Sequence, residues 1–334
     1  MFKRGDKGIG VRQLQEHLIR IGELENIPSK FTLPKYGADG DLGQETLDAV
    51  YAFQHSQGFE MQPSNIVDDD TLAAIARTCK IGPLMVDLYQ GDGRTKEDVR
   101  RLAHAGPPWY ALMLKATEGT TYFGSPWLSD VWPVANGQDD EYIASRCGIT
   151  WWTLLYAYYR ARQDPTLQAQ TFLREIDRIG GLYESTAYTC IDVEAGNQPE
   201  GITNHEIIDG VSEFVAIVRA ATQREVILYG GSWLREKGVV SRMGCAAVLP
   251  ARYTPDLPAA TYTSLGFDRS SLFGWQYNGD GEGYRAHYPQ TTPLGPEDTS
   301  VLLLGAENGD DQAPLEHMRQ PWPRVAQTLA TRLA

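Results

Sequence analysis

Residues Tyr188–Gly196 read YTCIDVEAG, an apolar run that ends in two carboxylates one residue apart. Side chains alternate along a strand, so Asp192 and Glu194 point to one face, where like charges repel. An isolated D-x-E is ordinarily a solvated strand end. The alternative is a carboxyl pair whose environments push their pKa values apart, as acid/base chemistry at a glycosidic bond requires. The surrounding sequence has to decide between them.

Outward from this run the same grammar repeats. Eight apolar runs follow residue 83: PLMVDL, ALMLKA, WWTLLYAYY, YTCIDV, EVILYG, AAVLPA, LFGWQY and SVLLL. Between several of them lie helical patterns: TKEDVRRLAHAG, TLQAQTFLREIDRIGG, NHEIIDGVSEFVAIVRAATQ and SWLREKGVVSRMG. Near-continuous apolar strands alternating with helices indicate a mostly parallel sheet covered on both faces. Eight of them predict an irregular, TIM-like (β/α)-barrel of the α/β class. The stretch TPDLPAATYTSLGFDRSS looks irregular rather than helical, so the closing strands are expected to depart from strict alternation. The segment from Ser125 to Thr150 is expanded and is expected to build a longer rim or a lid.

A barrel concentrates function at the carboxyl ends of its strands. The polar residues there form one set: Asp87, Tyr89 and Gln90; Lys115, Thr117 and Glu118; Tyr156 and Tyr158; Asp192 and Glu194; Tyr229 and Trp233; Trp275 and Gln276. Any one of these is ordinarily a satisfied strand end. Several acids and aromatics on one rim suit sugar, because aromatic faces stack on its rings and carboxylates bind hydroxyls and move protons.

Residues 1–80 follow a different pattern, of helices and tight turns. VRQLQEHLIRIG places Val11, Leu14, Leu18 and Ile21 on one face with Gly22 as a stop. DGDLGQETLDAVYAFQHSQG predicts a second helix with Leu47, Val50 and Phe53 inward, and IVDDDTLAAIARTC a third with an acidic or Thr cap. NIPSKFTLPKYG is expected to be a long connecting loop. With Asp39 as first ligand, an EF-hand loop would need glycine and glutamate where Gln44 and Val50 stand, which rejects calcium.

The 334 residues are 42% apolar and 22% charged, with a net charge of −13. That charge argues against binding a phosphate backbone and against attraction to anionic membranes. No apolar stretch follows the basic N-terminus, so a Sec-type signal is not expected, and CGITWWTLLYAYY is too short to span a bilayer. Four scattered cysteines without C-x-x-C read as free thiols, although sequence alone leaves disulfides open. No H-E-x-x-H, paired Cys/His set or P-loop is present, so no metal or organic cofactor and no nucleic-acid partner is expected.

Two resemblances sharpen the reading. GIGVRQLQEHLIRIG, ADGDLGQETLDAVYAFQHSQGF and IVDDDTLAAI resemble the three-helix peptidoglycan-binding domain family. The later blocks VDLYQG, LKATEG, YAYYRARQDPTLQAQTF, IDVEAG, LYGGSW, PARYTPDLP, GWQY and EDTS resemble, in order, glycoside hydrolase family 25, the Chalaropsis-type lysozymes. The departures are a shortened loop after Asp87, Ala157 where the family often has His, and the expansion after Ser125. The resemblance implies a peptidoglycan-binding domain at 1–80 and a lysozyme barrel at 83–334. It implies hydrolysis of the β-1,4 bond between N-acetylmuramic acid and N-acetylglucosamine in bacterial peptidoglycan.

On that resemblance Glu194 is the general acid and Asp192 orients the substrate acetamido group, a substrate-assisted retaining route. Asp87 and Asp298 hold the electrostatics, while Lys115, Glu118, Tyr156, Tyr158, Tyr229, Trp275 and Gln276 contact substrate. The expected context is a monomeric phage endolysin, made in the host cytoplasm and released to the wall through a holin pore, without membrane insertion. The rival readings are a signal-less antibacterial effector, a wall-binding protein with an inactive barrel and a chitinase-like hydrolase.

Overall fold

In a computed structural model of the chain, the residues described are 2–302, except 25–30, 59–64, 69–70, 73, 76–83, 106–108, 123–125, 149–150, 197, 254–258, 269–270, 280–281, 284–291 and 295–296. The N-terminal region contains strand β1 (Phe2–Lys3), helices α1 (Ile9–Leu24) and α2 (Gln44–Ser56), and strand β2 (Ile66–Val67). Leu14, Leu18, Ile21, Leu47, Val50 and Phe53 are buried, as their spacing requires. The turn tested above for calcium is held by protein instead. Gln15 Nε2 donates to Asp39 Oδ1 (2.8 Å), the Asp41 carbonyl (3.0 Å) and Thr46 Oγ1 (2.9 Å), and Gln15 Oε1 accepts from Gly40 N (2.7 Å). The sequence pattern placed the third helix within IVDDDTLAAIARTC, after an acidic or Thr cap. Ile66 and Val67 pair antiparallel with β1, and the turn of helix after them is capped where Asp68 Oδ1 accepts from Thr71 N at 2.7 Å.

The barrel comprises β3 (Leu84–Leu88), α3 (Lys96–His104), β4 (Trp109–Glu118), the short β5 (Thr121–Tyr122), α4 (Trp127–Ala135), α5 (Glu141–Arg146) and β6 (Trp152–Tyr158). It continues with α6 (Pro165–Arg178), β7 (Thr186–Asp192), α7 (Asn204–Thr222), β8 (Val226–Gly230), α8 (Ser232–Glu236), β9 (Ala247–Pro250) and α9 (Ala259–Thr263). β10 (Gly274–Gly279), β11 (Glu282–Gly283) and β12 (Asp298–Leu302) complete it. The eight apolar runs are its eight main strands. β3, β4, β6, β7, β8 and β9 are parallel in that order, while β12 pairs antiparallel with both β3 and β10. Single bridges Val248–Leu272 and Ala251–Gln276 bring β10 back to β9, so the barrel nearly closes.

Alternation along each strand sorts the core into two layers. Met85, Met113, Leu154, Cys190, Ile227, Leu249 and Phe273 fill the interior. Val86, Leu112, Leu155, Ile191, Leu228 and Val248 face outward to the helices, where Phe172 and Phe214 meet at 6.0 Å. The expansion after Ser125 belongs to that outer layer. Trp132 and Trp151 are fully buried there and donate through Nε1 to the Gly181 (3.0 Å) and Ala135 (2.8 Å) carbonyls. The pattern SWLREKGVVSRMG yields only the short α8, which stops two residues before Gly238 at φ +69°. Conversely, the stretch expected to be irregular contains α9.

Candidate active site

The strand ends place the predicted residues in turn. Asp87 sits near the end of β3, opposite Asp298, the first residue of β12, in an antiparallel register. Because β12 runs backwards, its amino end reaches the rim that the other strands reach with their carboxyl ends. Asp192 ends β7 between Tyr158 and Tyr229 on the neighbouring strands. Glu194 lies two residues further on, past the end of the strand, with an oxygen 3.9 Å from where a side chain on Gly231 would begin.

Burial dominates the electrostatics of this set. It pushes Asp87 well above the usual carboxylate range, helped by the charges of Asp298 and Asp92 and opposed by Lys115. Asp192 is likewise raised well above it, by burial first and then by Glu194 and Asp87. Glu194 is raised too, by burial and by Asp298. The opening sequence therefore holds a carboxyl pair that keeps a proton at a pH where an ordinary carboxyl has lost it. Asp87 Oδ1 and Asp192 Oδ1 are buried and accept no hydrogen bond among the described residues. Leaving such a group unmatched costs about 1–3 kcal/mol, so both oxygens are suited to a donor brought by a ligand.

Tyr156 and Tyr229 line the interior, and burial holds both phenols protonated. Tyr229 donates to Gln276 Oε1 at 2.7 Å, which leaves the buried Gln276 Nε2 as a donor without an acceptor among the described residues. Trp275 falls on the other face of β10 and packs in the outer layer, so it does not join Gln276. Lys115 and Glu118 meet at 2.8 Å although three residues apart on a strand. A bulge permits this: Lys115 pairs with Tyr156 but Thr117 with Ala157, so Glu118 returns to the Lys115 face beside Tyr158. Burial would raise the Glu118 pKa, but hydrogen bonds from Lys115 and Arg160 outweigh it and hold the carboxyl below its ordinary range.

Several residues here were not singled out from the sequence. Arg160 ion-pairs with Glu118. Tyr253, half exposed, lies over Gly279 beside Asp298, and any side chain at Gly279 would collide with its hydroxyl. Asp92 accepts from Tyr89 N at 2.7 Å and adds its charge to the rim. Arg160 and Tyr253 carried a usable signal, Arg160 as the cation ending the same run as Tyr158 and Tyr253 within the block PARYTPDLP. Among the described residues no three His, Cys, Asp or Glu side chains are grouped as a metal site, and no helix is long and apolar enough to cross a membrane.

Together these groups offer a proton donor, buried acceptors and an amide donor at one end of the barrel, the inventory for acid/base chemistry on a polar substrate. Comparison with known proteins bears on each region separately. Residues 7–75 match the family described as "Putative peptidoglycan binding domain". A curated Bacillus licheniformis protein, "Probable N-acetylmuramoyl-L-alanine amidase", is 40% identical over 60 residues, which are 18% of this chain and 15% of that protein. The match thus spans about one seventh of that relative's length. The bacterial lysozyme of Streptomyces coelicolor superposes with a TM-score of 0.51 at 18% identity, over 71% of this chain and 99% of that one. A family 25 glycosyl hydrolase from Bacillus anthracis gives 0.48 at 18% identity, over 70% and 94%. The chain thus carries a segment that matches the peptidoglycan-binding domain family and a nearly closed eight-stranded barrel with the fold of the Streptomyces coelicolor lysozyme.

Proposed function

We propose that the protein hydrolyses the β-1,4 bond between N-acetylmuramic acid and N-acetylglucosamine in bacterial peptidoglycan. The observation that carries this reading is the acid set itself: Asp87, Asp192, Glu194 and Asp298 share one rim, and two of their buried oxygens lack donors among the described residues. Glu194, held protonated, gives its proton to the leaving oxygen and then serves as base toward water. An acetamido N–H donated to Asp192 Oδ1 stabilises that carboxylate as an anion and leaves the shared proton on Glu194. The oriented acetamido oxygen attacks the anomeric carbon, and Asp192 offsets the positive charge that develops, in a retaining route. Asp87 and Asp298 set the field around the pair. Tyr229 orients Gln276 as a further donor, while Lys115, Glu118, Tyr156 and Tyr158 shape the cleft.

Residues 1–80 are proposed as a separate wall-binding domain and residues 83–334 as the lytic one. A wall-binding segment joined to such a barrel suits a phage endolysin, which acts once a holin pore exposes the wall. The decisive experiment is mass spectrometry of muropeptides after digestion of purified wall. New reducing ends at N-acetylmuramic acid are expected. Reducing N-acetylglucosamine ends, or freed peptides, would overturn the reading. Expression in a host with and without a holin tests the context, and lysis is expected only with the pore.

A further inference from the structure

Glu194 lies beyond the last residue of β7, so no strand ladder fixes it. The backbone holds up to Val193, whose N–H donates to the Tyr229 carbonyl at 3.0 Å. What holds the chain after that point comes from the connection between β6 and α6. Arg160 Nη1 donates to the Gly196 carbonyl at 2.6 Å, and the Tyr158 hydroxyl donates to the same oxygen at 2.6 Å. Ala161 N donates to Gln198 Oε1 (2.9 Å), and Gln198 Nε2 to the Tyr159 carbonyl (2.7 Å).

Arg160 is itself fixed from three sides. Its other Nη ion-pairs with Glu118, its guanidinium lies 4.7 Å from the Tyr158 ring centre, and its backbone exchanges two 2.9 Å hydrogen bonds with the Gln168 side chain. Glu118 reaches it only because of the β4 bulge, with Lys115 holding the second carboxylate oxygen. We propose that Arg160 is a positioning residue, whose guanidinium bridges Glu118 and the Gly196 carbonyl and so fixes the loop that carries Glu194. A planar fork can bind two acceptors at once in fixed directions, whereas an ammonium supplies a point charge on a flexible stem. The inference rests on Glu194 being the proton donor.

The test compares Arg160→Met and Arg160→Lys with Arg219→Met, which breaks a surface pair with Glu225 far from this loop. Two readouts are needed: turnover on purified peptidoglycan, and amide hydrogen exchange at Ala195, Gly196 and Gln198 without substrate. Small misplacements of a catalytic group cost up to about 100-fold. Arg160→Met is therefore expected to lower kcat about 10- to 100-fold with KM little changed, and to speed exchange in this loop. Arg160→Lys should fall between it and wild type, and Arg219→Met should match wild type in both readouts. Unchanged kcat, a loss confined to KM, or unchanged exchange would overturn the proposal. Should Arg160→Met fail to fold, Arg160→Lys carries the same comparison. An inactive wild type would defeat the muramidase reading, while the exchange measurement would still support or overturn the clamp.

Discussion

Glu194 follows β7 and Asp298 opens the oppositely directed β12, yet after burial the charge of Asp298 is the main cause of the raised Glu194 pKa. A proton donor works while protonated, so kcat should fall as pH rises through that pKa. Asp298→Asn removes one cause and should move the alkaline limb to lower pH; a limb that stays in place counts against Glu194 as donor. Glu194→Gln should leave the fold intact and lower turnover by ~10²–10⁴-fold, and Asp192→Asn should also be severe. Near-wild-type hydrolysis by folded Glu194→Gln protein would defeat the mechanism. Asp87 makes a separate prediction about stability. Its folded pKa lies above its unfolded value, so it brings no penalty below about pH 4, and stability falls as pH rises from there toward the folded pKa. Asp87→Asn should thus melt with wild type at low pH and above it at neutral pH; equal melting temperatures throughout would refute this. The acids were legible because each adjoins an apolar run or stands in a block that resembles a known family. Arg160 and Tyr253 stand in such blocks too, but what they do was not legible, because their partners Glu118 and Gly279 lie far away in sequence.

The strands were legible for a simple reason. A strand buried on both faces is largely apolar, and most of the barrel's main strands carry such a run, although β12 opens on Asp298, Thr299 and Ser300. Strand direction was not legible, since an apolar run reads alike either way. Hence Asp298 precedes its run while Asp87 and Asp192 end theirs. The bulge in LKATE left no mark either, as Ala116 and Thr117 fit a regular strand equally well. Helix starts were better marked. Thr203 caps α7 in a reciprocal box, in which Thr203 Oγ1 accepts from Glu206 N at 3.2 Å and Glu206 Oε2 from Thr203 N at 2.8 Å. Thr203→Ala should cost about 1 kcal/mol, read as a lower denaturation midpoint with kcat unchanged. No shift in the midpoint would show that the cap contributes nothing to this fold.

A helical core in residues 1–80, separate from the barrel, is the expectation raised by the change of pattern near residue 80. If residues 1–80 bind wall on their own, the isolated piece should be retained on insoluble peptidoglycan above a control protein. Removing it should lower activity more on intact wall than on small soluble fragments, because tethering raises the local concentration of enzyme on its substrate. Equal losses on both would refute the arrangement. The placement of β12 between β3 and β10 has a consequence for biosynthesis. A ribosome that has made everything up to Gly279 has built seven of the eight main strands and three of the four acids. The gap beside β3 then stays open, and Asp87 lacks its opposite number. Only when residues 298–302 emerge and slot between the oldest and the most recent long strand does the acid set become complete. If those acids carry the chemistry proposed above, a chain still being made cannot yet perform it.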